Sequence, residues 1–160
     1  MFRDIQVRSR RDMIALSYEL DEPSIIISIS DASQEHPVFA DNANVKDVLF
    51  LNFDDEESEE AGGMNASNAE SVAEFVRAWE QEDVSLYVHC GAGVSRSAGT
   101  AAAVMLWNWG DDSQVFQDAH YCPNMRCYRM VLDALDVSYD DIQIAKKERE
   151  QYLLWAAENL

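Results

Sequence analysis

The stretch VHCGAGVSRSAG, residues 88–99, holds a cysteine, three glycines, an arginine and two serines in close succession. A strand that ends in Cys90, turns through small residues and enters a helix at Arg96 lines up backbone N–H groups at a helix N-terminus. Such a row suits a tetrahedral oxyanion. The same potential favours a thiolate, so Cys90 is expected to have a depressed pKa and to be nucleophilic near neutral pH. The planar fork of Arg96 could hold two oxygens of a bound phosphate. Gly91 and Gly93 would let the backbone approach closely. A second feature is LNFDDEESEE, residues 51–60, with six carboxylates in its last seven positions. It could be a solvated loop, a cation cage, or a place where one acid transfers a proton.

The elements needed to hold these residues can be read from the pattern. Ile5 to Val7 reads as a weak strand, about Arg10 to Leu20 as a helix, and Ser24-Ile-Ile-Ile-Ser-Ile-Ser30 as a buried strand. Residues 31–44 read as a loop or short helix, and Val48 to Phe53 as a strand that delivers the chain to the acidic run. After Gly62-Gly63, Ser67-x-x-Glu70 fits a capping box for a helix with Val72, Phe75, Val76 and Trp79 on one face. Val84 to His89 is the strand before the cysteine turn, and an alanine-rich helix follows to about Trp109, ended by Gly110. Asp111 to Ser113 can cap a further helix, and Pro123 can open one that buries Tyr128, Val131, Leu132 and Leu135. From about Tyr139 a last amphipathic helix would bury Ile142, Leu153, Leu154 and Trp155. Strands alternating with helices, without repeats or long linkers, predict one α/β domain over residues 1–160 with a mostly parallel sheet.

Composition narrows the partners. Thirty Asp and Glu against 12 Lys and Arg give a formal charge of −18, which repels nucleic acid and anionic lipid. Neither is expected as a partner, whereas peptides with basic flanks should be attracted in a salt-sensitive way. Three cysteines, at 90, 122 and 127, do not form an even disulfide framework and fit a reducing, cytoplasmic setting. The N-terminal residues lack an apolar signal region, and no run reaches the roughly 18 apolar residues of a membrane span. Neither cofactor nor metal is expected. The acidic run lacks the spacing and central glycine of an EF-hand, and Cys122 and Cys127 lack a second ligand pair. His36, His120 and the tryptophans at 79, 107, 109 and 155 read as structural or surface residues.

The sequence His89-Cys90-Gly-Ala-Gly-Val-Ser-Arg96-Ser97 resembles the HCx5R(S/T) signature of the cysteine-dependent protein tyrosine phosphatases, and its Gly93-Val-Ser-Arg96-Ser97 ending is most like the dual-specificity group. The resemblance extends in element order over roughly residues 48–135. It implies a four- to five-stranded, mostly parallel sheet flanked by helices, metal-free hydrolysis of phosphate monoesters in proteins, and a phosphocysteine intermediate. By the same resemblance Cys90 is the nucleophile, and the amides of Gly91, Ala92, Gly93, Val94 and Ser95 bind phosphate together with Arg96. Ser97 assists departure of the thiolate, and His89 supports the loop through hydrogen bonds. The family's general acid is an aspartate about three dozen residues before the cysteine. Asp55 and Asp54 both fit that distance; strand alternation through Leu49, Leu51 and Phe53 favours Asp55. Glu56, Glu57, Glu59 and Glu60 would then be a solvated apron that raises the pKa of the central acid. Tyr121-Cys-Pro-Asn124 resembles the Pro-Asn helix start that supports the signature loop in the same group, or is a plain helix start. A phospho-binding domain without turnover, or a phosphatase for a non-protein phosphate, are the alternatives.

Overall fold

The computed structural model covers residues 1–160. Its centre is a four-stranded sheet, all neighbours parallel, in the order β1 (Asp4–Ser9), β4 (Ser85–Cys90), β2 (Ser24–Ser30), β3 (Val45–Asn52). The two middle strands are buried along their whole length, as expected of parallel strands covered on both faces, and they carry the sequences SIIISIS and SLYVHC. Side chains alternate between the faces. Ile25, Ile27, Ile29, Leu86, Val88 and Cys90 join the main core, whereas Ile26 and Tyr87 pack with Met13 and Leu20 in a smaller cluster.

That smaller cluster lies under α1 (Arg10–Ser17), whose first turn is capped by Ser9 through Asp12 N–H. The main core lies under α2 (Ala66–Trp79), α3 (Arg96–Trp109), α4 (Ser113–Phe116) and α5 (Met125–Ala134). Residues 98–103 of α3, AGTAAA, are completely buried or nearly so, because small side chains let the helix lie close to the sheet and to α5. Gly99 shows how close: a Cβ there would collide with the carbonyl oxygen of Asn124. Gly110 ends α3 in the left-handed region at φ 71°, as its position suggested.

Four expectations need correction. The box that opens α2 is made by Asn65 and Asn68, which exchange side-chain-to-backbone bonds of 2.8 and 3.0 Å, so Ser67 and Glu70 lie inside the helix instead of capping it. The Asn side chain offers an oxygen acceptor as serine does, two positions earlier. The third strand spans Val45–Asn52, starting three residues before the expected Val48 and leaving Phe53 just beyond it; the first helix stops at Ser17. Finally, α6 (Asp141–Asn159) does not bury the residues expected of it. Ile142 is 77% and Leu153 57% exposed, and Leu154 is exposed as well. Ile144, Lys147 and Gln151 form the stripe that docks instead, and at 100° per residue Ile142 and Leu153 fall on the opposite side. Of the tryptophans, 79, 107 and 109 pack partly buried against the main core, and Trp155 lies beside Tyr152 on α6.

Candidate active site

All four strands end at one edge of the sheet, and there the chemistry-bearing residues meet. Register pairs Ser9 with Cys90 and Ser28 with His89, so the end of β1, the end of β4 and the end of β2 lie side by side. In an open parallel sheet this edge is the place for a ligand.

Residues 91–95 connect β4 to α3. The N–H groups of residues 91–98 donate to no acceptor in the protein. The loop carbonyls, by contrast, are taken: Gly91 O by Arg10 N–H at 3.1 Å, Val94 O by Cys122 N–H at 3.1 Å, and Ser95 O by the N–H groups of Asn124 at 3.0 Å and Gly99 at 2.9 Å. The loop therefore turns its acceptors onto neighbouring segments and keeps its donors for something else. Gly93 makes this course feasible. Its φ is +72°, and a Cβ would meet Arg8 C and Ser9 N at 2.7 Å. The helix start confirms the pattern, because the Ser95 side chain makes no cap bond.

Cys90 is 3% exposed, and its Sγ lies 3.0 Å from the Oγ of Ser97, in the first turn of α3. Arg96 is also buried. Its Nη1 donates to Phe53 O at 2.8 Å, its Nη2 pairs with Asp31 Oδ1 at 2.8 Å, and its Nε is buried without a partner. One edge of the guanidinium is thus fixed by protein, which leaves Nε as a donor beside the row of free amides. An unpaired buried N–H costs of order 1–3 kcal/mol unless a ligand completes it. A phosphate group would satisfy both sets of donors.

The two candidate acids take different positions. Asp55 Oδ1 accepts from Ser95 Oγ at 2.8 Å and from Asn124 Nδ2 at 2.9 Å, so its carboxyl sits against the signature loop. Asp54 Oδ1 accepts from Ala32 N–H at 2.9 Å, and its other oxygen faces Gly62, on the opposite side of the chain. The acidic run is not merely an apron. Glu56 O accepts from Asn124 Nδ2 at 3.2 Å, Glu57 Oε2 accepts from Arg126 N–H at 3.3 Å, and burial pushes the Glu57 carboxyl up from its ordinary pKa.

His89 faces away from the thiol. Its Nε2 meets Ser28 Oγ at 2.6 Å and its Nδ1 meets the carbonyl of Cys90 at 3.1 Å, in a fully buried place on the α1 side of the sheet. Burial, aided by the charges of Arg10 and Arg96 and opposed by the Cys90 carbonyl, lowers its pKa from 6.5 to about 4. Between these values the unfolded chain binds a proton that the folded chain refuses, so stability is full above pH 6.5 and falls as the pH drops toward 4. The loss is about 3 kcal/mol. Urea titrations between pH 7 and 4 should show this slope, and His89→Gln should flatten it; an equal slope in the variant would assign the acid sensitivity elsewhere.

One residue at the site was not singled out from sequence as a part of it, and a second was left between two readings. Asp31, the first residue after β2, clamps Arg96; the available signal was an acid directly beyond a strand that pairs with the cysteine's strand. Asn124 was read either as support for the signature loop or as a plain helix start, and it does cap α5 through Cys127 N–H at 2.9 Å. The same side chain holds Asp55 and Glu56, and its backbone N–H holds Ser95, so helix start and loop support coincide. Cys127 is core, and its thiol is pushed up by burial; Cys122 is half-buried and likewise raised, and all three cysteines are unpaired. His36 stacks on Phe50 and His120 packs against Tyr121.

Comparison with known proteins agrees with this geometry. Residues 58–150 match the family model described as Swiss Army Knife protein, DSP-PTPase phosphatase domain. The chain belongs to that family. It is a phosphatase domain of the dual-specificity group within the cysteine-dependent protein tyrosine phosphatases. The matched residues include the signature loop and Asn124 and begin just after the acids at 54 and 55. Among solved structures, the PTP-2 phosphatase of Cydia pomonella superposes with a TM-score of 0.54 at 20% identity, over 82% of this chain and 85% of that one. Human DUSP28 gives 0.50 at 14% identity, over 97% and 95%. These likenesses are of fold. No curated protein matches the sequence.

Proposed function

We propose that this chain hydrolyses phosphate monoesters on proteins, phosphotyrosine foremost and phosphoserine or phosphothreonine by the same chemistry, through a phosphocysteine intermediate. The single observation that carries this reading is the set of donors around Cys90: the N–H groups of residues 91–98 and Arg96 Nε have no acceptor in the protein. Donors fixed beforehand stabilise the charge that develops on the equatorial oxygens in the transition state, and they do so without reorganising.

Cys90 Sγ attacks phosphorus as the bond to the leaving oxygen breaks, and Asp55 delivers a proton to that oxygen. Water then attacks the phosphocysteine, Asp55 takes its proton, and the S–P bond breaks to return the thiolate. Ser97, 3.0 Å from the sulfur, donates to it as it leaves. His89 holds the strand end through Ser28 and the Cys90 carbonyl. A catalytic thiol of this kind suits a reducing compartment such as the cytoplasm; no helix is long and apolar enough to cross a membrane.

The test is hydrolysis of phosphotyrosine, phosphoserine and phosphothreonine peptides in excess EDTA. Turnover of the phosphotyrosine peptide is expected without metal. Binding of all three with no phosphate release would make the chain a phosphate-binding domain, and release only from small non-protein phosphates would remove the protein substrate.

A further inference from the structure

A groove of about 450 Å³ opens beside the acid and the signature loop, sharing Asp55 and Ser95 with them and bounded on its far side by α6. Its size falls within the range of ligand clefts. Resting on the reading above, we infer that this groove receives a lysine or arginine side chain of the phosphorylated protein, one to three residues from the phosphoresidue.

The polar groups in the groove are mostly acceptors. Asp55, Glu57 and Glu148 contribute three carboxylates, against the single guanidinium of Arg149. Their fields overlap: Glu148 and Asp55 help burial to raise the Glu57 carboxyl, and all three acids raise the Cys122 thiol in the same groove. Independent of these charges is Gln151, which lines the groove and is 1% exposed. Its Nε2 is spent on the carbonyls of Asp118 at 2.8 Å and Tyr121, and its Oε1 has no partner. A buried acceptor left open calls for a donor. An ammonium or guanidinium group supplies donors to the acceptors and charge to the carboxylates, while Met125, Pro123 and Tyr152 offer apolar wall for the aliphatic stem. Reach is sufficient: successive residues of an extended peptide lie about 3.5 Å apart, and Asp55 belongs both to the groove and to the place of the leaving oxygen.

The experiment measures binding to the Cys90→Ser chain, so that it does not depend on turnover. Phosphotyrosine peptides carry lysine at each of three positions on either side in turn, with norleucine as the uncharged counterpart. At one or two positions lysine should bind about tenfold tighter at low salt, since two partly desolvated carboxylate contacts give about that factor, and less in high salt. Glu57→Gln with Glu148→Gln should bring the ratio near one. Glu70→Gln with Glu74→Gln, an equal change of charge on α2 outside the groove, should leave it near ten. Equal affinity for lysine and norleucine at every position overturns the inference, as does a preference that survives loss of Glu57 and Glu148 or falls equally with the α2 pair. Wild-type hydrolysis of a small aryl phosphate is read separately, and its absence would count against the proposed function without altering the binding ratios.

Discussion

Replacing Cys90 with serine is expected to lower hydrolysis of an aryl phosphate by about 10⁴-fold or more while an oxyanion still binds. The geometry separates the two effects. Binding depends on the amides of residues 91–98 and on Arg96 Nε, none of which the substitution touches. Attack depends on an anionic nucleophile. A thiol is a far stronger acid than an alcohol and its thiolate a strong nucleophile, whereas a serine hydroxyl needs a base to take its proton. No base is placed to do so. Both ring nitrogens of His89 are engaged, by Ser28 and by the Cys90 carbonyl, on the other face of the strand. The neighbour of the sulfur is the hydroxyl of Ser97, which is not a base. The measurement is single-turnover release of phosphate from wild type and Cys90→Ser, with the affinity of both chains for sulfate, which forms no bond to the sulfur, as the binding readout. Retained turnover in the serine chain would sink the covalent mechanism; loss of sulfate binding would mean that the loop itself had collapsed.

The parts that the sequence displayed and the parts that it hid differ in range. The cysteine turn was readable because its function is local: glycine at a left-handed position, free amides at a helix start and an arginine six residues from the cysteine all follow from one short segment. The β2 strand was readable because a short run dominated by isoleucine, interrupted only by small serines, has one comfortable place, the middle of a parallel sheet. Asp31 was hidden because its partner lies 65 positions away and is reached only when β2 and β4 pair. Asn124 was half hidden: the resemblance offered loop support beside helix capping, but capping α5 accounts for the residue locally, and its hold on Asp55 needs the 54–57 loop folded against it. The last helix misled for another reason. Its apolar residues do not lie on one stripe, so docking is decided by Lys147, whose ammonium sits 2.9 Å from the buried carboxylate of Asp112, and by Gln151. Polar anchors of that kind leave no periodic trace.

Asp55→Asn should slow hydrolysis of a substrate with a poor leaving group by about 10²-fold or more, and affect a good leaving group much less. An alkoxide or an unactivated phenolate needs a proton as the P–O bond breaks, while a nitrophenolate departs without one. Asp55 is placed for the task because Ser95 Oγ and Asn124 Nδ2 both hold its Oδ1, which fixes the carboxyl beside the phosphate loop and leaves its second oxygen free of those bonds. Asparagine keeps an oxygen for those same two donors, so the loop should stay in place and only proton transfer should be lost. Asp54 is turned the other way, toward Ala32 N–H and Gly62. Asp54→Asn should therefore leave the dependence on leaving group intact and act, where it acts, on the stability of the 54–62 turn. A series of aryl phosphates spanning leaving-group pKa from about 7 to 10 distinguishes these cases by the slope of log(kcat/KM), which should steepen only in Asp55→Asn. If the slope steepens in Asp54→Asn instead, the two aspartates have exchanged roles and the turn must open before the chemical step. If it steepens in neither, the proton comes from outside this loop.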